Sequence, residues 1–251
     1  MNGTIFDITP IAWVLSLLCG ILVGFTKTGV PGIGILAVPL MAHIFPAGPS
    51  TGIFLPMLIT GDIFAVAYYH HHADWKYVLK PMGWAAAGII LAFGVIKCLA
   101  LSDHQLRIMI AVIVLFVLSL GLYLKNSRHL LHVPHTWWFA ALVGLMGGFT
   151  TMTSNAAGPI WIVYLLSLRF PKQAFMGTNA WIFLILNTFK VPFSYGLGFI
   201  TSASLLFNVC MIPAIAIGAY IGIRVIKVIP QKTFEWAATI LAAAAALKLL
   251  F

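Results

Sequence analysis

Two short clusters of hydroxyl and amide residues sit in otherwise apolar surroundings. Thr26, Lys27 and Thr28 lead into Gly29, and Thr150, Thr151, Thr153, Ser154 and Asn155 lead towards Gly158. Residues of these types can replace the water shell of a small oxyanion, with a lysine supplying the compensating charge. A half-helix starting just after each cluster, near Gly32 and near Ala156, would aim free N–H groups and roughly half a positive charge at the same place. Covalent catalysis is less well served. Ser154 beside Asn155 is the nearest approach to a nucleophile, but no histidine or lysine lies near it in sequence, and there is no GxSxG, HExxH, P-loop or pair of neighbouring carboxylates.

The elements that must hold these clusters are two interrupted helices. Residues 20–46, GILVGFTKTGVPGIGILAVPLMAHIFP, are apolar enough for a membrane, yet Gly29, Pro31, Gly32 and Gly34 crowd the middle and predict unwinding there. A second copy starts at Gly144, GLMGGFTTMTSNAAGPIWIVYLLSLRFP. It places Gly148-Phe149-Thr150 under Gly24-Phe25-Thr26, and Gly158 under Gly34, at one offset of 124. Unpaired backbone in hydrocarbon costs several kcal/mol, so broken helix at membrane depth survives only where it is packed in protein or lines a wet cavity. Glycines that merely let helices approach, with hydroxyls bonded to preceding carbonyls, would explain one such copy. Two copies in equivalent positions point to a transporter's binding site.

Composition bounds the rest. With 251 residues, 62% hydrophobic and 8% charged, the chain falls far below the charged fraction of a soluble domain and reads as a polytopic membrane protein. Its net charge of +9 comes from 14 Lys and Arg against Asp7, Asp62, Asp74, Asp103 and Glu235. These charges lie mostly in short connections between apolar runs, where they set topology, which argues against nucleic acid as a partner. Cys19, Cys98 and Cys210 show no CxxC spacing and read as small packing residues. No Lys or Arg precedes the first apolar run, so a secretory signal is not expected.

Apolar runs fall at about 10–27, 33–45, 50–70, 76–97, 105–124, 137–151, 156–168, 173–195, 203–224 and 234–250. Those flanking the breaks are shorter than the ~20 residues a spanning helix needs. The repeat extends beyond them: Gly52, Asp62 and Phe64 match Gly177, Asn187 and Phe189 at an offset of 125, and Gly88 and Val95-Ile96-Lys97 match Gly218 and Val225-Ile226-Lys227 at 130. One domain over 1–251 is therefore expected, with repeat one at about 10–124, a polar linker at about 125–135 and repeat two at about 136–251. If each broken stretch enters and leaves on one side and three crossings follow, Lys76, Lys80, Lys125, Arg128, Arg169, Lys172, Arg224, Lys227 and Lys232 share a face. Lys97, Arg107 and Lys248 share the other. The positive-inside rule prefers this division, makes the richer face cytoplasmic and puts both termini outside. The predicted fold is an all-helical polytopic membrane protein of two inverted repeats, each a broken or re-entrant helical hairpin followed by three transmembrane helices.

Two basic residues fall within the apolar stretches, Lys27 at the first break and Lys190 three residues after Asn187. A charge at such depth is a functional candidate by default. The alternative is snorkelling, with Pro192 ending its helix early enough to bring Lys190 to the surface. Asp62 is the one acid inside a crossing. It either carries a coupling proton or pairs with a lysine, and its uncharged counterpart Asn187 favours a polar contact between the halves. His70-His71-His72 and the group His129, His132 and His135 lack the spacing that closes a metal shell. Neither metal nor cofactor is expected. Trp75, Trp84, Trp137, Trp138 and Trp236 lie near predicted helix ends as an interfacial belt.

The repeated glycine-rich breaks, with TMTSNAAGPIWIVYLL continuing as LRFPKQAFMGTNAWIFLILNTFKVPF, resemble the sulfite exporter TauE/SafE family of membrane anion permeases over residues 14–247. That resemblance implies a multi-pass carrier in a bacterial-type inner membrane, moving sulfite, sulfoacetate or a related small sulfur oxyanion, often outward. The binding set expected from the residues is Thr26, Lys27, Thr28, Gly29, Gly32, Gly34, Thr150, Thr151, Thr153, Ser154, Asn155, Gly158, Asn187 and Lys190, with Asp62 as a possible proton-coupling residue. A passive anion channel, a membrane-embedded enzyme using Ser154 and a structural membrane subunit are the rival readings. Oligomeric state is not legible.

Overall fold

The computed structural model describes residues 9–99 and 136–240, apart from 33, 35, 36, 46, 235, 238 and 239. The apolar run at 105–124, the joint at 125–135 with its three histidines, and most of the run at 234–250 lie outside the described residues. Within them the secondary structure is helical: α1 (Pro10–Thr28), α2 (Ala37–Ile44), α3 (Ala47–Tyr69), a 3-10 turn (His70–His72), α4 (Trp75–Leu79), α5 (Met82–Leu99), α6 (Trp137–Ser154), α7 (Gly158–Ser167), α8 (Lys172–Gly196) and α9 (Ser202–Val228). Among the described residues, four helical stretches are long and apolar enough to cross a membrane: Pro10–Thr28, Ser50–His72, Trp75–Cys98 and Ser202–Val228. α8 has 25 residues and the length to cross, but carries the polar side chains the sequence singled out.

Local signals set the ends. Thr9 caps α1 through its hydroxyl, which accepts from Ala12 N, with Pro10 in the first turn where its missing N–H costs nothing. Thr201 and Ser204 form a reciprocal capping box at the start of α9. Pro192 does not end α8, which continues to Gly196, and Lys190 is 1% exposed. The snorkelling alternative is therefore corrected for this residue. Lys27, at 7%, is likewise buried.

Contacts along the helices fix their directions. Trp13 stacks on Phe207, Gly20 meets Ala214 and Gly29 meets Gly222, so α1 and α9 run the same way. Asn208 donates to Ile53 O and Lys227 lies over the Tyr68 ring, which aligns α3 with α9. Trp75 against Trp181 and Phe93 against Phe193 make α4 and α5 parallel to α8. Gly144 meets Pro81 and Gly148 meets Ala85, so α6 runs with α5. Asp62 bonds Asn187 while Gly177 packs on Tyr69, so α3 and α8 are antiparallel. Hence α1, α3 and α9 point one way and α5, α6 and α8 the other.

Because α1 and α3 share a direction, the chain between them must come back. It does: Cys19 lies against Ala37 O, and Phe45 beyond α2 packs on the same Phe207 that stacks with Trp13. α6 and α7 fold back likewise, with Trp161 on Gly147 and Tyr164 beside Phe139.

The offsets of the sequence repeat reappear as exchanged contacts. A Cβ on Gly24 would fall inside the backbone of Ile215 and Ala219, and one on Gly148 inside that of Ala85. Residue 24 plus 124 is 148, and 85 plus 130 is 215. Gly218 on Ile21 and Gly88 on Leu145 repeat the relation. Close backbone approach of this kind requires glycine. We expect Gly24→Val and Gly148→Val each to destabilise the detergent-solubilised protein by roughly 1–3 kcal/mol, the usual cost of overpacking. Thermal unfolding of both variants checks this, and a wild-type melting temperature for either would count against the contact.

At one end of the bundle Lys172 Nζ donates to Ile226 O and Ile229 O, Lys227 covers Tyr68, and Tyr77 packs on Phe170. That end gathers Lys76, Lys80, Arg169, Lys172, Arg224, Lys227 and Lys232, while Lys97 closes α5 at the opposite end. Lys125, Arg128, Arg107 and Lys248 lie outside the described residues.

Candidate functional site

The two breaks face one cavity, of about 70 Å³. Thr26, Lys27, Pro31, Gly32 and Gly34 line it from the first break, and Thr151, Asn155, Ala156, Gly158 and Pro159 from the second. Phe54 and Leu58 of α3, Ile162 of α7, and Asn179, Phe183 and Asn187 of α8 complete the wall. The space suits a few waters or one small ion. It sits around the middle of α3 and α8, with apolar side chains between the polar ones.

The second break is built from the end of α6. Asn155 adopts the left-handed conformation, φ 58°, and its N–H donates to Thr151 O, the usual way to stop a helix. Ser154 Oγ donates to Thr150 O and accepts from Ala156 N, while Thr153 Oγ1 donates to the Phe149 and Thr150 carbonyls. These two hydroxyls are occupied in shaping the break. α7 then starts at Gly158, beside the cavity; Pro159 has no N–H and those of Ile160 and Trp161 go to Ala157 O, so of its first turn the Gly158 N–H is left for the cavity.

The first break differs. α2 is described from Ala37, and Gly34 N is tied back to Thr26 Oγ1, whose own proton goes to Val30 O. Gly32 turns with φ 104°. Thr28 Oγ1 donates to Gly24 O and Ala219 O, and Thr28 O accepts from Tyr69 OH, so Thr28 joins α1 to α9 and α3 and stays out of the cavity. Gly29, Thr150, Thr153 and Ser154 also lie off the lining.

Behind the wall stand two charged groups. Asp62, fully buried, holds Lys27 Nζ at 2.7 Å through Oδ1 and accepts from Asn187 Nδ2 at 2.6 Å through Oδ2. Lys27 also rests 4.0 Å from the centroid of Phe183, a cation–π contact. Both partners of Asp62 line the cavity and Asp62 does not, so its carboxylate orients them. Lys190 stands in the same relation to the other break: its Nζ donates to Thr151 O at 3.0 Å, to Thr151 Oγ1 at 3.1 Å and to Asn155 Oδ1. Asn155 Nδ2 in turn donates to Thr51 O on α3. With its oxygen accepting from Lys190, the Thr151 hydroxyl keeps its own proton for the cavity. Every hydrogen bond from Lys190 is to a neutral oxygen, and Lys27 is balanced by Asp62, so Lys190 in its protonated form adds a positive charge that no described carboxylate pairs.

Of the expected set, Thr26, Lys27, Gly32, Gly34, Thr151, Asn155, Gly158 and Asn187 meet at the cavity, with Lys190 and Asp62 one layer behind. Sequence reasoning missed Asn179 and Phe183. Their signal was present, since 179, 183 and 187 follow a spacing of four and share a helix face.

A family model described as "Sulfite exporter TauE/SafE" matches residues 16–249. No curated protein matches the chain, and no solved structure does.

Proposed function

The chain belongs to the sulfite exporter TauE/SafE family, and from that membership and the shared cavity we propose that it carries a small sulfur oxyanion by alternating access, in the outward direction. The family is one of membrane transporters of sulfur anions such as sulfite. The observation that carries the finer reading is the meeting of both breaks at a single cavity with one uncompensated ammonium behind it. Donors for an oxyanion are available there: the Thr151 hydroxyl, the Lys27 protons not given to Asp62, and the Gly158 N–H at the start of α7.

The mechanism we propose uses two halves of opposite orientation. The supporting facts are the helix directions, in which α1 and α3 oppose their repeat counterparts α6 and α8, and the exchanged glycine contacts. Rocking one half against the other around a fixed site exposes that site to each side in turn. The ligand must be released on the far side, so binding has to be moderate. The lysine- and arginine-rich end is read as cytoplasmic, in an inner membrane, with the termini outside.

Uptake of labelled sulfite into proteoliposomes tests this. A carrier gives saturable, trans-stimulated flux; linear flux without trans-stimulation would indicate a channel, and failure of every sulfur anion to compete would end the anion reading. Ser154→Ala is expected to retain most of the flux, since it loses hydrogen bonds worth about 1 kcal/mol that only shape the break. Complete loss in a folded variant would revive a role in catalysis.

A further inference from the structure

Two side chains of the cavity wall, Asn179 and Asn187, each carry a buried oxygen with no hydrogen-bond partner among the described residues. Asn187 gives its amide protons towards Asp62, because a carboxylate can only accept, and this fixes its Oδ1 as the other polar atom. That oxygen is buried and accepts no hydrogen bond from the described residues, and the same holds for Asn179 Oδ1 two turns earlier on α8. Both residues line the cavity. A buried acceptor left without a donor is costly, and a fully deprotonated oxyanion would bring only further lone pairs. The separation of the two asparagines along α8, roughly 12 Å of helix rise, excludes one metal ion bridging both.

The charge count leads to the same ligand. Lys27 on α1 is the charged side chain in the lining, Asp62 on α3 neutralises it, and Lys190 on α8, in its protonated form, adds one positive charge from behind. One negative charge balances the set, whereas a dianion would leave the site net negative in a low-dielectric surround. Resting on the anion-carrier reading above, we infer that the cavity selects a singly charged sulfur oxyanion that retains an O–H donor, hydrogensulfite rather than sulfite or sulfate, with its proton on Asn187 Oδ1 or Asn179 Oδ1. The donors at Thr151, Lys27 and the Gly158 N–H take its charged oxygens.

The test uses the full chain in proteoliposomes, with no pH gradient, at a series of pH values spanning the second ionisation of sulfurous acid. Inhibition by methanesulfonate, whose charge is constant over that range and which has no O–H, reports the protein's own pH response. The expected result is a KM that stays constant when written for hydrogensulfite and rises with pH when written for total sulfite, with sulfate competing at least about tenfold more weakly. Hydroxymethanesulfonate, equal in charge to methanesulfonate but bearing a hydroxyl, is expected to compete about tenfold better or more, and Asn187→Leu to remove most of that advantage. A KM constant in total sulfite, or equal competition by the two sulfonates in the wild type, overturns the inference while leaving an anion carrier in place. Absence of competition by any of these anions overturns both.

Discussion

Asp62→Asn is expected to lower the stability of the detergent-solubilised protein by about 3–5 kcal/mol, because it strands the Lys27 ammonium in a buried site with no counter-charge. Asp62 is fully buried and Lys27 nearly so, and the 2.7 Å contact leaves no room for water between them. Phe183 beneath the ammonium offers only a cation–π contact, too weak to replace a carboxylate. Lys27→Met strands the carboxylate instead and should cost a similar amount. The double change Lys27→Met with Asp62→Asn removes both charges, and most of the lost stability should return, since a buried pair is worth little against neutral residues of similar volume. Transport is expected to behave differently. The double variant lacks a cavity ammonium that hydrogen-bonds the anion, and its flux should stay down by about tenfold to a hundredfold, the value of a charge-assisted hydrogen bond. A double-mutant cycle on melting temperature and initial uptake rate separates the two. Equal instability of single and double variants would show that the pair is not what stabilises this region, and full recovery of uptake in the double would remove Lys27 from the site.

Helix positions were legible because hydrocarbon imposes one strong rule, a long apolar run for each crossing. The runs predicted at 10–27, 173–195 and 203–224 differ by no more than four residues at either end from α1, α8 and α9. Repeat offsets also carried contact information, since Gly24 and Gly148 were aligned by sequence before their partners were known. The alternation of paired and spare hydroxyls was not legible. Thr26 and Thr28 look equivalent in GFTKTG, yet a helical step of two residues turns them to different neighbours, one to the loop at Gly34 and the other to Ala219 of α9. Pro192 was misleading for a similar reason: tertiary packing can hold a helix through a proline when the freed carbonyl finds other surroundings. A polar contact of Asp62 between the halves was anticipated, but not that its repeat counterpart Asn187 is the partner, and nothing local joins Lys27 to Asp62, thirty-five residues apart, without the hairpin that brings α1 and α3 together.

Lys190→Met is expected to weaken anion binding by about thirtyfold while leaving the melting temperature close to wild type. The ammonium is buried among neutral acceptors, so the protein spends stability to keep it charged, and methionine of similar length relieves that cost even as Thr151 and Asn155 lose a donor. The effect on the ligand is electrostatic, because Lys190 stands behind Thr151 and Asn155 and does not line the cavity. A unit charge about 8 Å away at an effective dielectric near 20 contributes about 2 kcal/mol. The same charge decides how the membrane potential acts. With Lys190 present the empty site is net positive and a monoanion makes it neutral, so voltage bears on the return of the empty carrier. With methionine the empty site is neutral and the loaded one negative, and the voltage-sensitive step becomes the loaded one. Each elementary charge moved through the field feels about 2.3 kcal/mol per 100 mV. Trans-stimulated exchange, which cycles only the loaded form, should therefore be insensitive to an imposed potassium-diffusion potential in the wild type and sensitive to it in the variant. Equal voltage dependence of exchange in both proteins would show that the Lys190 charge does not travel with the ligand's.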